Sequence, residues 1–332
     1  MKRTSILALT LAVLVPLSAC GGGEDPLDAE TPESGGESSP DDAGSTDEAG
    51  STDDTGSTGG AAAGGEDVGE IVVGSANFPE NVLLAEIYAA ALSDAGVEVS
   101  TTLNIGSRET YMAGLEDGSI DLIPEYTGGL ATFLNPEITV TSSEEVLAEA
   151  EENLPEGLQL LEISDAEDKD SLVVTSETAD SLGLTSIADL EPHAADMVLG
   201  GPPEFESRPN GVDGLREVYG LEFAQFRSLS AGSTLTVQSL VNGQVDVANI
   251  FTTDPAVGEN DLVVLEDPES LFAAQNIVPL ISSDVVNGTV EEALNEVSAA
   301  LTTDNLTEMM VQVVTEGQDP ATVAREFLDE NL

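Results

Sequence analysis

An α/β fold in two similar lobes is predicted by two observations. Strand-like and helix-like segments alternate from Glu70 onward, and one helix–turn–strand unit returns at an offset of about 125 residues. Such alternation argues largely parallel sheets covered by helices.

Two segments lie ahead of this fold. Met1-Lys2-Arg3 is a short basic start, Ile6 to Leu17 is mostly apolar, and Leu17-Ser18-Ala19-Cys20 closes the run with small residues. That is the pattern of a secretory signal, and it is shorter than the roughly 20 apolar residues of a spanning helix. Cys20 is the chain's one cysteine, so no intramolecular disulfide is available to it. Residues 1–19 read as the signal peptide, with Cys20 either lipidated or incidental. Residues 21–67 hold fourteen of the 64 acidic residues, no Lys or Arg and a single leucine. This composition cannot bury enough apolar surface to fold. With Cys20 it reads as an acidic tether, extended by like charge.

Glu70–Ser75 carries Ile-Val-Val, a buried strand. Asn77-Phe78-Pro79-Glu80 spaces Asn and Glu three apart with proline in the first turn, which predicts an N-cap with a capping-box partner. Leu83, Ile87 and Ala91 repeat at helical spacing. Val97–Ile105 is a second strand, Ser107 caps a helix bearing Tyr111 and Leu115, and Asp117-Gly118 ends it before a third strand, Ile120–Ile123. The order Gly106-Ser107, Leu115, Gly118, Asp121, Tyr126, Thr127 returns as Gly232-Ser233, Leu240, Gly243, Asp246, Phe251, Thr252.

Ser171–Thr175 reads as a strand leading out of the first lobe, and Asn276–Ile281 as one leading back. Helices near Val290–Leu301, Leu306–Thr315 and Pro320–Leu328 complete the first lobe. The expected division is residues 68–170 plus 280–332 for one lobe and 171–279 for the other, with a hinge at each crossing.

Composition excludes several functions. The folded part carries the remaining 50 carboxylates against Arg108, Lys169, Arg208, Arg216, Arg227 and Arg325. Phosphate backbones need Lys and Arg, so nucleic acid is excluded as a partner. Self-repulsion of this kind reads as adaptation to a saline setting, the alternative being an acidic exported protein with no salt requirement. One histidine, His193 beside a proline, and no cysteine beyond Cys20 leave no conventional zinc site. No Gly-x-Ser-x-Gly elbow, phosphate loop or dinucleotide fingerprint is present. No catalytic residue, metal or cofactor is expected.

In open α/β sheets ligands bind beyond the carboxyl ends of strands. Tyr126 and Phe251 sit just past such ends, one per lobe, and so predict a shared interlobe cleft. The helix starts at Asn77-Phe78 and Ser107 offer unpaired N–H groups to an acceptor on the ligand. Arg108 and Arg208 each have two readings, capture of a ligand carboxylate or an internal ion pair. The pair is preferred for Arg108, and both readings stand for Arg208.

Several motifs together resemble the glycine betaine, carnitine and choline binding proteins of osmoprotectant ABC importers. They are Val72-Val73-Gly74-Ser75-Ala76-Asn77-Phe78-Pro79-Glu80, Asn104-Ile105-Gly106-Ser107-Arg108-Glu109, Ile120-Asp121-Leu122-Ile123-Pro124-Glu125-Tyr126-Thr127-Gly128, Arg208-Pro209-Asn210-Gly211 and Phe251-Thr252-Thr253-Asp254. The likeness is greatest to the actinobacterial lipoprotein branch called ProX. It implies a type II periplasmic-binding fold and no catalysis. It also implies a quaternary ammonium ligand, and permease and ATPase subunits as partners. The protein would be a monomer, lipid-anchored on the outer face of the cell membrane. Candidate ligand contacts are Asn77, Phe78, Ser107, Tyr126, Thr127, Phe205, Arg208, Phe251 and Thr252. Relatives use a cage of several tyrosines. This chain has four tyrosines and no tryptophan, with Val212 after Arg208-Pro209-Asn210-Gly211, and no tyrosine in Gly232-Ser233-Thr234-Leu235-Thr236, where relatives often carry cage tyrosines. Phe78, Phe205, Phe251 and Phe272 are the available substitutes. The reduced cage keeps open a receptor for another small polar or aromatic solute, or a ligand-sensing subunit.

Overall fold

The computed structural model describes residues 68–332. The expected signal segment, Cys20 and the acidic tether lie outside the described residues. The first lobe opens with β1 (Ile71–Ala76), α1 (Pro79–Asp94), β2 (Val99–Gly106), α2 (Arg108–Asp117), β3 (Leu122–Tyr126), α3 (Thr127–Leu134), α4 (Ser143–Asn153) and β4 (Leu158–Leu160). The second lobe follows as β5 (Asp170–Thr175), α5 (Ser176–Leu182), β6 (Val198–Gly201), α6 (Val212–Tyr219), β7 (Gln225–Ser228), α7 (Thr234–Val241), β8 (Val247–Phe251), α8 (Ala256–Glu259) and β9 (Leu262–Val264). The chain then returns through β10 (Ile277–Ser282), α9 (Gly288–Ala300), α10 (Thr303–Met310), a π-helical turn at Val311–Thr315 and α11 (Pro320–Asn331).

Each lobe is built on one five-stranded sheet, ordered β2-β1-β3-β10-β4 in the first and β7-β6-β8-β5-β9 in the second. The two orders correspond strand for strand. In each, three parallel strands are followed by two antiparallel additions, and one of the two crossing strands, β10 or β5, is the fourth member. Helix α1 buries Leu83, Leu84, Ile87, Tyr88 and Leu92 at 0–1% exposure, so it is apolar nearly all round and enclosed. It covers one face of the first sheet with α9, α10 and α11, while residues of α2, α3 and α4 pack on the other face. The second sheet has a core cluster of its own on each face.

The repeat expected from sequence has a structural cause. Asp121 accepts a hydrogen bond from the Val72 amide at 2.8 Å, and its own amide donates to the Val72 carbonyl. Asp246 does the same to Val198 in the second lobe, again at 2.8 Å. In each half, one aspartate just ahead of the third parallel strand, β3 or β8, ties the chain to the central one, β1 or β6. Gly118 closes α2 at φ 73°, a left-handed conformation that suits glycine.

Pro124 of β3 faces Pro279 of β10 in the antiparallel pair. Neither can donate, so this register places them at a non-hydrogen-bonded pair. Pro279 is therefore mid-strand in the first sheet, and the return crossing lies earlier than expected. Phe272 packs in the second lobe's core and Ala273 against the first lobe's, so the chain crosses at Phe272–Ala274. The outward crossing runs through Asp168 and Lys169. There the Asp168 amide donates to Gln275, and the Thr252 amide donates to Lys169. Asp170 already pairs with Phe251 in the second sheet, one residue ahead of the expected start.

Candidate functional site

Tyr126 ends β3 and Phe251 ends β8, the equivalent strands of the two lobes, and both face one cleft. Phe78, at the start of α1, lies between them. Its ring centroid is 6.0 Å from that of Tyr126 and 5.2 Å from that of Phe251, with interplanar angles of 34° and 46°. The cavity these rings border is about 60 Å³. That is room for about two waters at the roughly 30 Å³ each takes in the liquid, far too little for a nucleotide or peptide.

Glu80 departs from expectation. The first turn of α1 has Phe78 at its N-cap and no side-chain cap, so Asn77 and Glu80 form no capping box. Glu80 turns inward instead and is 2% exposed. Its Oε1 accepts from the Tyr126 hydroxyl at 2.8 Å, and its Oε2 accepts from the Thr253 hydroxyl. Asn81, beside it, locks the strands by accepting from the Ala76 amide at 2.7 Å and donating to the Pro124 carbonyl at 2.8 Å. Asp168 reaches the same cluster from the outward crossing and accepts from the Thr252 hydroxyl and the Thr253 amide, each at 3.1 Å. Burial holds the carboxyls of both Glu80 and Asp168 above the usual range, and for Asp168 the Glu80 charge adds to it. Burial also pushes the Tyr126 hydroxyl well up, so that it stays a neutral donor.

Arg108 forms the internal ion pair that was its preferred reading. Its Nε and Nη2 each lie 2.8 Å from Glu125, whose side chain is fully buried. Glu125 also accepts from the Tyr111 hydroxyl at 2.6 Å and the Tyr126 amide at 2.8 Å. Burial works against the charge on Arg108, but Glu125 outweighs it and the guanidinium stays firmly protonated. The guanidinium lies against Gly129, where a Cβ would come within 2.7 Å of Nη2. Glycine is required there for this close approach.

Arg208 is also bound internally, and across the lobes. Its Nε and Nη2 donate to the two carboxylate oxygens of Glu109 at 3.2 Å each. Glu109 lies in the first turn of α2. Burial would raise its carboxyl, but Arg208, with Ser107 and the local backbone, lowers it to about 2. Glu109 thus takes the arginine that a ligand carboxylate was expected to meet. The carboxyl groups of Asp168, Asp170 and Glu204 line the same cleft.

Of the expected contacts, Asn77, Phe78, Ser107, Tyr126, Arg208 and Phe251 border the cavity. Phe205 does not: it is 1% exposed within the second lobe's core, as is Phe272 at 7%. Thr127 is fully buried and ties the return crossing by bonds to Ala274 and the Asn276 amide. Thr252 ties the outward crossing through the Lys169 amide and Asp168. Residues that sequence reasoning missed are Glu80, Asp168, Asp170 and Gln275, which accepts from the Gly129 amide at 2.9 Å. Among the described residues no cluster of His, Cys, Asp or Glu could hold a metal ion, and no helix is long and apolar enough to cross a membrane.

Residues 69–330 match the model of the substrate binding domain of ABC-type glycine betaine transport systems. A glycine-betaine-binding protein of Pseudomonas aeruginosa is 28% identical, covering 81% of this chain and 90% of the relative. A solved glycine betaine/carnitine/choline ABC transporter structure superposes with a TM-score of 0.63 at 20% identity, over 78% of this chain and 98% of that one. A choline binding protein in complex with choline superposes with a TM-score of 0.59 at 16% identity, over 80% and 89% of the two chains. These likenesses support the two-lobed binding-protein fold. The chain belongs to the family of substrate-binding domains of ABC-type glycine betaine transport systems, which are binding proteins and not enzymes.

Proposed function

We propose that the cleft binds a small quaternary ammonium cation of the choline class. One observation carries the reading. Both arginines at the cleft are held by internal carboxylates, Glu125 and Glu109, while Asp168, Asp170 and Glu204 face the cavity beside the aromatic wall. A site of this charge favours a cation and offers no free guanidinium to a ligand carboxylate. The aromatic faces of Tyr126, Phe78 and Phe251 supply cation–π attraction of about 0.5–2 kcal/mol each. A micromolar affinity needs about 8 kcal/mol, so the carboxylates must contribute as well.

A second reading follows from the position of Arg208. A zwitterion such as glycine betaine would bind if its carboxylate displaced Glu109. Calorimetric titration with choline, glycine betaine and carnitine separates the two: choline binding tightest supports the first, and betaine tightest, lost in Arg208→Ala, supports the second.

On this reading the lobes close about the crossings at Asp168–Lys169 and Phe272–Ala274. The monomeric receptor delivers its solute to a permease driven by an ATPase. Lipidation at Cys20 would hold it on the outer face of the membrane, with two acyl chains sufficing for stable anchoring. Replacing Cys20 with serine and following the protein between membrane and soluble fractions tests the anchor.

A further inference from the structure

Glu80 and Asp168 are two carboxyl groups, 2% and 3% exposed, bound to one and the same residue. They come from different elements, α1 and the outward crossing, and Thr253 joins them by donating its hydroxyl to Glu80 and its amide to Asp168. Among the described residues the ion pairs use Glu125, Glu167, Glu109, Asp213 and Asp94, and neither Glu80 nor Asp168 is in one. Two neighbouring buried carboxylates with no counter-charge do not both ionise, so they share one proton.

The position of that proton can be argued. Glu80 sits in the first turn of α1, where the helix end favours an anion, and it accepts from two hydroxyls. Asp168 also accepts two bonds, from Thr252 and Thr253, but lies on the crossing rather than at a helix start. The proton therefore rests on Asp168, and Asp168 is the member of the pair that lines the ligand cleft.

The other ionisable groups around the pair do not take this role. Tyr126 of β3 is held neutral by burial. Asp254, just beyond β8, is itself pushed up by burial. Lys169 is paired with Glu167 at 3.3 Å, and Asp170 accepts from Asn249 at 3.0 Å. Of the other charged groups lining the cleft, Arg108 and Arg208 are bound to Glu125 and Glu109, and Glu204 adds only negative charge.

We infer that the Glu80–Asp168 pair is the counter-charge for the cationic group of the ligand, and that binding the cation expels the proton from Asp168. Resting on the reading of the cleft as a cation site, this adds an exchange, one cation in and one proton out to solvent. Charge in the buried cluster then stays balanced in both states. Affinity for the cation is linked to pH with a definite sign. Where the pair is protonated, each unit rise in pH tightens binding by up to about tenfold, and the dependence levels off once the empty pair has ionised.

The test is calorimetric titration of the full chain with choline from pH 5 to 8, in two buffers of different ionisation enthalpy at each pH. The expected result is tightening with pH and a buffer-dependent heat corresponding to release of up to one proton. Asp168→Asn should remove both effects and weaken binding at pH 8. Glu80→Gln should likewise remove the proton release, and it provides a second variant if the first fails to fold. Choline binding that is flat from pH 5 to 8, with heats independent of buffer, overturns the exchange and leaves the cation site standing. Absence of binding by any quaternary ammonium compound at every pH overturns both.

Discussion

Arg208, ahead of α6 in the second lobe, and Glu109, in the first turn of α2 in the first lobe, are joined by two hydrogen bonds of 3.2 Å across the mouth of the cleft. The pair is partly exposed, with side-chain exposures of 23% and 44%, so solvent screens it. Exposed pairs contribute about 0.2–1 kcal/mol. As a bond between the lobes it is expected to act as a latch on closure, and to add little stability.

The latch can be tested directly. Glu109→Gln should weaken ligand affinity by no more than about fivefold, equivalent to about 1 kcal/mol. It should also raise the radius of gyration of the empty protein in solution scattering. The Glu109 carboxyl is lowered to about 2 in the fold. A lowered carboxyl stabilises above its unfolded value, about 4.3, and loses that contribution as pH falls through the folded value. The latch should therefore be intact at pH 5–8 and fail between about pH 4 and 2.

The buried pair of Arg108 and Glu125 should behave differently. Arg108→Ala strands a carboxylate that has no exposure to water. Breaking a buried pair in this way costs about 3–5 kcal/mol, read as a lower urea midpoint. Gly129→Ala should also destabilise, because the added Cβ meets the pinned guanidinium.

The hydroxyl and the ring of Tyr126 have separable roles. Tyr126→Phe keeps the aromatic face and removes one donor from buried Glu80, a loss of about 1–3 kcal/mol in unfolding stability. Tyr126→Ala removes the face as well and should weaken ligand binding by about tenfold or more, which is about 1.4 kcal/mol. Phe251→Ala should weaken it by a smaller, measurable factor.

Salt should stabilise the folded part. Of the six basic side chains from Arg108 onward five are in ion pairs, against 50 carboxylates, so most carboxylates have no cationic partner. Screening relieves their mutual repulsion. The thermal midpoint of residues 68–332 should rise from dilute buffer to molar KCl, and a flat or falling midpoint would remove the argument.

Much of the fold was legible because it is written in repeated local signals. Asp121 and Asp246 stood at equivalent places in the sequence repeat, and each fixes its strand by the same two bonds. Tyr126 and Phe251 were found from the same repeat. Glu80 was misread because the spacing Asn-x-x-Glu is also a capping signature, and spacing does not say which way a side chain turns. Asp168 was hidden within Asp165-Ala166-Glu167-Asp168-Lys169-Asp170, one acidic run in an acidic chain. Its only available signal was position, just ahead of the strand that leaves the first lobe. Phe205 and Phe272 could not be told from Phe251 by residue type, since only the fold decides which phenylalanine ends a strand at the cleft and which fills a core.

The proposed function requires a small cation held against the wall of Tyr126, Phe78 and Phe251, with carboxyl groups rather than free arginines around it. The decisive measurement is calorimetric titration of the purified protein with choline and glycine betaine, repeated on Tyr126→Ala and Phe251→Ala. Choline should bind more tightly than glycine betaine, and both variants should lose affinity while remaining folded. Folded variants that bind choline as tightly as the parent, or a parent that binds neither compound, would contradict it.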